Sequence, residues 1–291
     1  MKISFHRILT KDNLELAGLL YEPDTTTSKI LVHVHGMAGN FYENKFLDNI
    51  AKTLTENGTA FFVFNNRGCE YIKDLTRIEN GKRTLVRIGD TYEKFEESIF
   101  DIKATVDFVI TRGFTDIHLS GHSLGAPKVT YYIVEEKDKR IKSIIFLSPA
   151  DMVGLAKADE NYNRDIGTAK KMIANNKGKD IMPFLVWGDN YLSAETYMSI
   201  GSEGSKVAIF NLYNPNGKLS IFEGVIVPVL IVMGRKDSAL TVPIEKMMGR
   251  LNKALENSPK VETNILGDAN HGYNDYEQQL ADVINTWIQK V

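Results

Sequence analysis

The sequence predicts an α/β protein: a mostly parallel central sheet with helices on both faces and one long insertion. Three observations carry that expectation. Short, nearly continuous apolar runs rich in Val, Ile and Phe occupy residues 30–34, 60–64, 117–119, 144–147 and 229–233, as strands buried on both faces require. Helical periods lie between those runs, and strands alternating with helices call for right-handed parallel crossovers. Finally, the strand that should follow residue 150 closely arrives only near 229.

In order along the chain, residues 3–9 and 14–21 alternate polar and apolar around Thr10-Lys11-Asp12-Asn13, which predicts an antiparallel hairpin. Phe46, Ile50 and Leu54 share one helical face, as do Phe95, Ile99, Ile102, Val106 and Val109. Residues 126–136 suit a helix, and later helices are marked by Met247, Met248, Leu251 and Leu255 and by Tyr276, Leu280, Val283, Ile284 and Trp287. A last strand is expected at 261–266. The division is thus a core of residues 1–150 and 223–291 with an inserted lid, 151–222. That insertion carries polar stretches and the aromatics Phe184, Trp187, Tyr191, Tyr197, Phe210 and Tyr213.

Composition excludes several classes of function. With 291 residues, 43% of them hydrophobic, the chain can bury a large core without a metal or disulfide staple. The 35 basic and 37 acidic residues form no long run of one sign, which argues against nucleic acid as a partner. The single cysteine, Cys69, cannot form an internal disulfide, and a reducing compartment is permitted. The charged, alternating N-terminus does not read as a signal peptide, and no apolar stretch is long enough to span a bilayer. A cytoplasmic location is the expectation.

The chemistry concentrates at Gly121-His122-Ser123-Leu124-Gly125, between a strand and a helix. On such a turn a serine sits in strained backbone, and side chains two before and two after it would collide, hence the glycines. The helix N-terminus then points at a place where negative charge can develop. A serine hydroxyl is a weak nucleophile and needs a base held by a third group. Of the six histidines, His6, His33, His35 and His118 belong to strands, and the His122 side chain should point away from the serine. His271, in a turn-rich loop after the last strand, is the candidate base, since loops at the carboxyl edge of a parallel sheet reach the cleft. Asp237, following residues 229–233, is the first choice of orienting carboxylate and Asp151 the second; Asp268 should brace the loop.

The backbone amides of Met37 and Leu124 are the expected oxyanion donors. Trp187 and Tyr191 are candidate substrate contacts. His33 and His35 alternate on one strand but lack a third ligand at zinc-site spacing, so no metal site is expected. Arg67 should brace its loop, Cys69 is a bystander, and no glycine-rich nucleotide motif follows a strand, so no cofactor is implied.

The hairpin, the His35-Gly36 loop, Phe64-Asn65-Asn66-Arg67-Gly68, Gly-His-Ser-Leu-Gly, and then Asp237 and His271 in the order nucleophile, acid, histidine together resemble the α/β-hydrolase superfamily. The resemblance covers nearly the whole chain outside the insertion. Residues 192–204 also resemble a segment of fungal siderophore-esterase-like hydrolases, without the acidic, serine-rich stretch expected next. The resemblance implies a serine esterase that forms an acyl-enzyme on a small-molecule ester. An aromatic or medium-sized acyl or alcohol group would suit the aromatic insertion. A C–C bond hydrolase or amidase on the same residues, or a non-catalytic ligand-binding protein of this fold, are the alternatives.

Overall fold

The computed structural model describes residues 1–188 and 190–291. β1 (Lys2–Leu9) and β2 (Leu14–Glu22) form the expected hairpin, paired from Lys2 with Glu22 to Leu9 with Glu15. Asn13 takes a left-handed φ of 67° in the turn, where Thr10 Oγ1 donates to Asp12 and accepts from the Leu14 amide. Then follow β3 (Lys29–Val34), α1 (Lys45–Glu56), β4 (Ala60–Phe64), β5 (Lys73–Glu79), β6 (Lys82–Ile88), α2 (Ser98–Thr111), β7 (Asp116–His122), α3 (Gly125–Glu136) and β8 (Ile141–Leu147). The insertion supplies α4 (Met152–Ala158), α5 (Tyr162–Ala174) and α6 (Ala194–Gly201). The chain ends with β9 (Val229–Met233), α7 (Ile244–Ala254), β10 (Val261–Ile265) and α8 (Glu277–Lys290).

The strands form one mixed sheet. Its parallel part runs β10-β9-β8-β7-β3-β4, and β2 joins β4 antiparallel through Gly18–Tyr21. Alternate residues of each parallel strand enter opposite cores, as the strand period of two dictates. Ile30, Val32, Phe62, Leu119, Ile144 and Ile231 pack with α2, α3 and α7. Leu31, Phe61, Val63, Ile145, Leu230 and Val232 face α1 and α8 through Phe46, Ile50, Leu280 and Trp287. Each of these fully buried side chains contributes roughly 1.5–3 kcal/mol of transfer free energy before conformational entropy is charged against it.

One pair of strands was not expected. β5 and β6 pair antiparallel from Lys73 with Ile88 to Glu79 with Lys82. Their charged residues mask the alternation, yet Asn80-Gly81, at φ 50° and 75°, is the turn that joins two such strands without splaying them. The insertion shares the α2/α3 core through Val186, Leu192, Tyr197, Ile209 and Phe210, and Phe146 of β8 meets the Phe210 and Phe222 rings edge-on. No helix among the described residues is long and apolar enough to cross a membrane.

Candidate active site

Ser123 stands between β7 and α3 at φ 55°, a conformation that costs a non-glycine residue of order 1–3 kcal/mol. Three hydrogen bonds offset that cost: its amide donates to Leu147 O at 3.0 Å, and its carbonyl accepts from Ala126 N at 3.1 Å and Ala150 N at 3.4 Å. The surrounding glycines have steric reasons. A Cβ on Gly121 would lie 2.3 Å from Gly125 O, one on Gly125 2.1 Å from Val34 O, and one on Gly36 2.7 Å from Ser123 Cβ. The loop after β3 therefore lies directly against the serine turn. Leu124, buried at the N-cap of α3, follows Ser123, and Met37 is the residue after Gly36.

Two further loops are zipped together at the same edge of the sheet. Arg235 N donates to Gly267 O and Lys236 N to Ala269 O, at 3.0 and 3.2 Å, and only glycine at 234 leaves room for Ala269. That seam brings Asp237 to His271, with Asp237 Oδ1 2.7 Å from His271 Nδ1. A carboxylate accepts, so Nδ1 carries the proton and Nε2 is left as a base. Burial pushes the Asp237 carboxyl up, but the hydrogen bond and charge of His271, the Ser148 hydroxyl and the Ala239 amide outweigh it and hold it below the usual carboxylate range. Asp268 pairs with Lys236 at 3.0 Å across the two loops, an exposed contact worth little by itself.

Asp151, the second choice for the acid, is engaged elsewhere. It caps α4 by accepting from Gly154 N, and it also accepts from Leu212 N, Tyr213 N and Thr241 Oγ1 at 2.8, 2.7 and 3.3 Å. It thus ties the start of the insertion and its Leu212–Tyr213 stretch to the loop after Asp237. Burial raises its carboxyl, with these hydrogen bonds opposing.

His122 plays a larger part than its sequence position suggested. Its Nε2 donates to the His271 carbonyl at 2.8 Å, and its ring centroid lies 4.8 Å from that of His271. Burial, helped by His271, lowers its pKa to about 3, which keeps it a neutral donor. The signal available was a histidine beside the serine; the partner was invisible because it lies 149 residues along the chain. His33 and His35 are committed to internal partners, Ser120 Oγ and Gly36 O respectively. Arg67 is buried with Asp101, Asp12 and Glu97, as a loop brace should be. Cys69 is buried, and burial pushes its thiol up to about 12. Of the two aromatic candidates, Trp187 packs against Tyr197 inside the insertion and Tyr191 is half exposed.

Solved structures share this architecture over nearly its full extent. Est1E from Butyrivibrio proteoclasticus with ferulic acid bound is 20% identical, with 98% of each chain covered and a TM-score of 0.67. Alpha/beta hydrolase GrgF from Penicillium sp. sh18 is 15% identical over 99% of this chain and 97% of its own, with a TM-score of 0.69. The Pyrococcus furiosus esterase Pf2001 is 16% identical over 99% and 90%, with a TM-score of 0.63. No curated protein sequence matches the chain. The fold is that of the α/β-hydrolase superfamily. Residues 91–290 match the model of DUF1749, described as a protein of unknown function, and the chain belongs to that family.

Proposed function

We propose that this protein is a serine hydrolase that cleaves carboxylic esters through an acyl-enzyme on Ser123. The observation that carries the reading is a serine held at φ 55°, whose neighbour His122 donates to the carbonyl of His271, with His271 Nδ1 itself 2.7 Å from a buried carboxylate. In the reaction, Ser123 Oγ adds to the ester carbonyl while His271 Nε2 takes its proton. The Met37 and Leu124 amides hold the oxyanion of the tetrahedral intermediate. Collapse breaks the C–O bond, and the leaving alkoxide takes the proton from His271. Water repeats the cycle on the acyl-enzyme and releases the acid. Asp237 fixes the tautomer that leaves Nε2 free. None of these steps calls for a cofactor.

Residues 151–222 act as the lid over the cleft in this reading, because they leave β8 beside Ser123, whose carbonyl accepts from Ala150 N, and because Asp151 ties Leu212 and Tyr213 back to that point and to Thr241, a few residues after Asp237. Their aromatics, Trp187 and Tyr191 among them, would offer apolar walls to an aromatic or medium-sized group. The likeness to a structure that holds ferulic acid, an aromatic acid, supports that substrate class.

A fluorophosphonate probe should label the wild-type protein at Ser123 and leave Ser123→Ala unlabelled. p-Nitrophenyl esters of graded chain length should be turned over by the former only. Labelling without turnover of any ester would move the reading to amide or C–C bond cleavage, and absence of labelling would make the protein a ligand-binding member of the fold.

A further inference from the structure

Lys128 lies on α3, shortly after Ser123, and is 1% exposed. Three and four residues away on the same face lie Leu124, Gly125 and Tyr132, all buried. An ammonium group there is costly unless paired. It meets Glu93, equally buried, with Nζ 2.8 Å from Oε1 and 3.0 Å from Oε2. Two apolar side chains of matching volume could occupy such a place with no loss of stability. The pair therefore calls for a role other than holding the core together.

Its contacts lead toward the reacting serine. Lys128 Nζ donates to Asn66 Oδ1 at 3.4 Å. The Gly68 amide donates to the same oxygen at 2.9 Å; an ammonium group, like it, can only donate, so the two together hold the amide oxygen of Asn66 toward them and the amide nitrogen away. Asn66 Nδ2 then donates to His35 O at 3.1 Å, and Asn66 N to His35 Nε2 at 3.0 Å. Since Nε2 accepts, the ring proton sits on Nδ1, which donates to Gly36 O at 2.8 Å. The Gly36 carbonyl and the Met37 N–H belong to one planar trans peptide, where they point in opposite directions. Holding the carbonyl against His35 turns the Met37 N–H to the other side of that peptide. A hydrogen bond to the carbonyl also polarises the peptide and strengthens its N–H as a donor.

We propose that Lys128, through Asn66 and His35, is a positioning residue for the Gly36–Met37 peptide and hence for an oxyanion donor; the proposal rests on the serine-hydrolase reading. Burial and the Lys128 charge lower the His35 pKa to about 3, so the ring keeps this tautomer in neutral solution.

The test replaces the pair together, Lys128→Met with Glu93→Leu, so that no charge is left orphaned, and separately makes Asn66→Ala, which leaves the pair intact. Active sites are counted by fluorophosphonate titration, and kcat is expressed per titrated site. Removing one oxyanion donor costs on the order of 10²–10³ in kcat, and a donor that has lost its orientation should cost about tenfold or more of that. We expect such a fall in kcat for both variants, with KM within about twofold. Inhibition by an alkyl boronic acid, which forms a tetrahedral adduct, should weaken by the same factor. A purely structural role would instead reduce the number of titratable sites and leave kcat per site unchanged; that result in either variant overturns the proposal. Failure of the wild-type protein to label at Ser123 overturns the hydrolase reading, and the proposal with it.

Discussion

Asp237 and Asp151 are both buried carboxylates that follow strands of the parallel sheet, and their partners give them different work. Asp237 faces the ring of His271, whereas Asp151 faces three backbone amides and a hydroxyl. Asp237→Asn should therefore favour the wrong tautomer of His271 and lower ester turnover by about 10⁴, while Asp151→Asn should leave kcat per titrated site within about tenfold. The reverse order would reassign the acid. The same carboxyl has a signature in stability. The fold holds Asp237 below its ordinary value, so its ionised form stabilises the native state. That contribution is complete above about pH 4 and is lost as pH falls through the lower, folded-state value. Melting curves of the wild-type protein and Asp237→Asn should converge on acidification below about pH 4; a gap that widens there would contradict the direction of the shift. The positions of Ser123 on a strand-to-helix turn and of Asp237 and His271 in loops after strands could be read from sequence, because glycines and polar residues mark those turns. The roles of His122 and Lys128 could not, since their partners His271 and Glu93 come from other elements.

Among the elements, the segment between β8 and β9 is held by a small set of specific contacts. Asp151 binds its first helix at Gly154 and its far end at Leu212 and Tyr213, while Ser193 N donates to Thr91 O and Phe95 N to Ser199 Oγ from the core side. Asp151→Ala leaves buried donors without an acceptor, at about 1–3 kcal/mol for each that water cannot reach. We expect a marked drop in melting temperature and new proteolytic cleavage near residues 205–217; an unchanged cleavage pattern would show that the segment is held without this carboxylate. The buried parallel strands could be read from sequence because both their faces are apolar. β5 and β6 escaped because Lys, Arg, Asp and Glu occupy much of them, although Asn80-Gly81 marks their turn. Where the insertion packs could not be read at all, since its aromatics fit a small core of its own as well as the shared one they join.

The shared core has a consequence for the molecule as a whole. Tyr197 and Phe210 of the insertion belong to the same buried cluster as Ile102 and Val129 of the core helices, so the two parts should unfold together. The two tryptophans lie one in each part, Trp187 against Tyr197 and Trp287 buried under the sheet with its Nε1 donating to Ser143. In urea, the fluorescence of Trp187→Phe, which reports Trp287 alone, should share its midpoint with the wild-type signal and with circular dichroism. A separate, earlier loss of the Trp187 contribution would make the insertion an independent unit. The glycines beneath the serine point to a different kind of consequence, one of descent. Gly121, Gly125 and Gly36 come from separate places in the chain and interlock so closely that a methyl group on any of them strikes an atom of a neighbouring residue. The turn beneath Ser123 therefore has no small steps open to it by mutation, and change in this lineage must begin at residues outside these three close approaches.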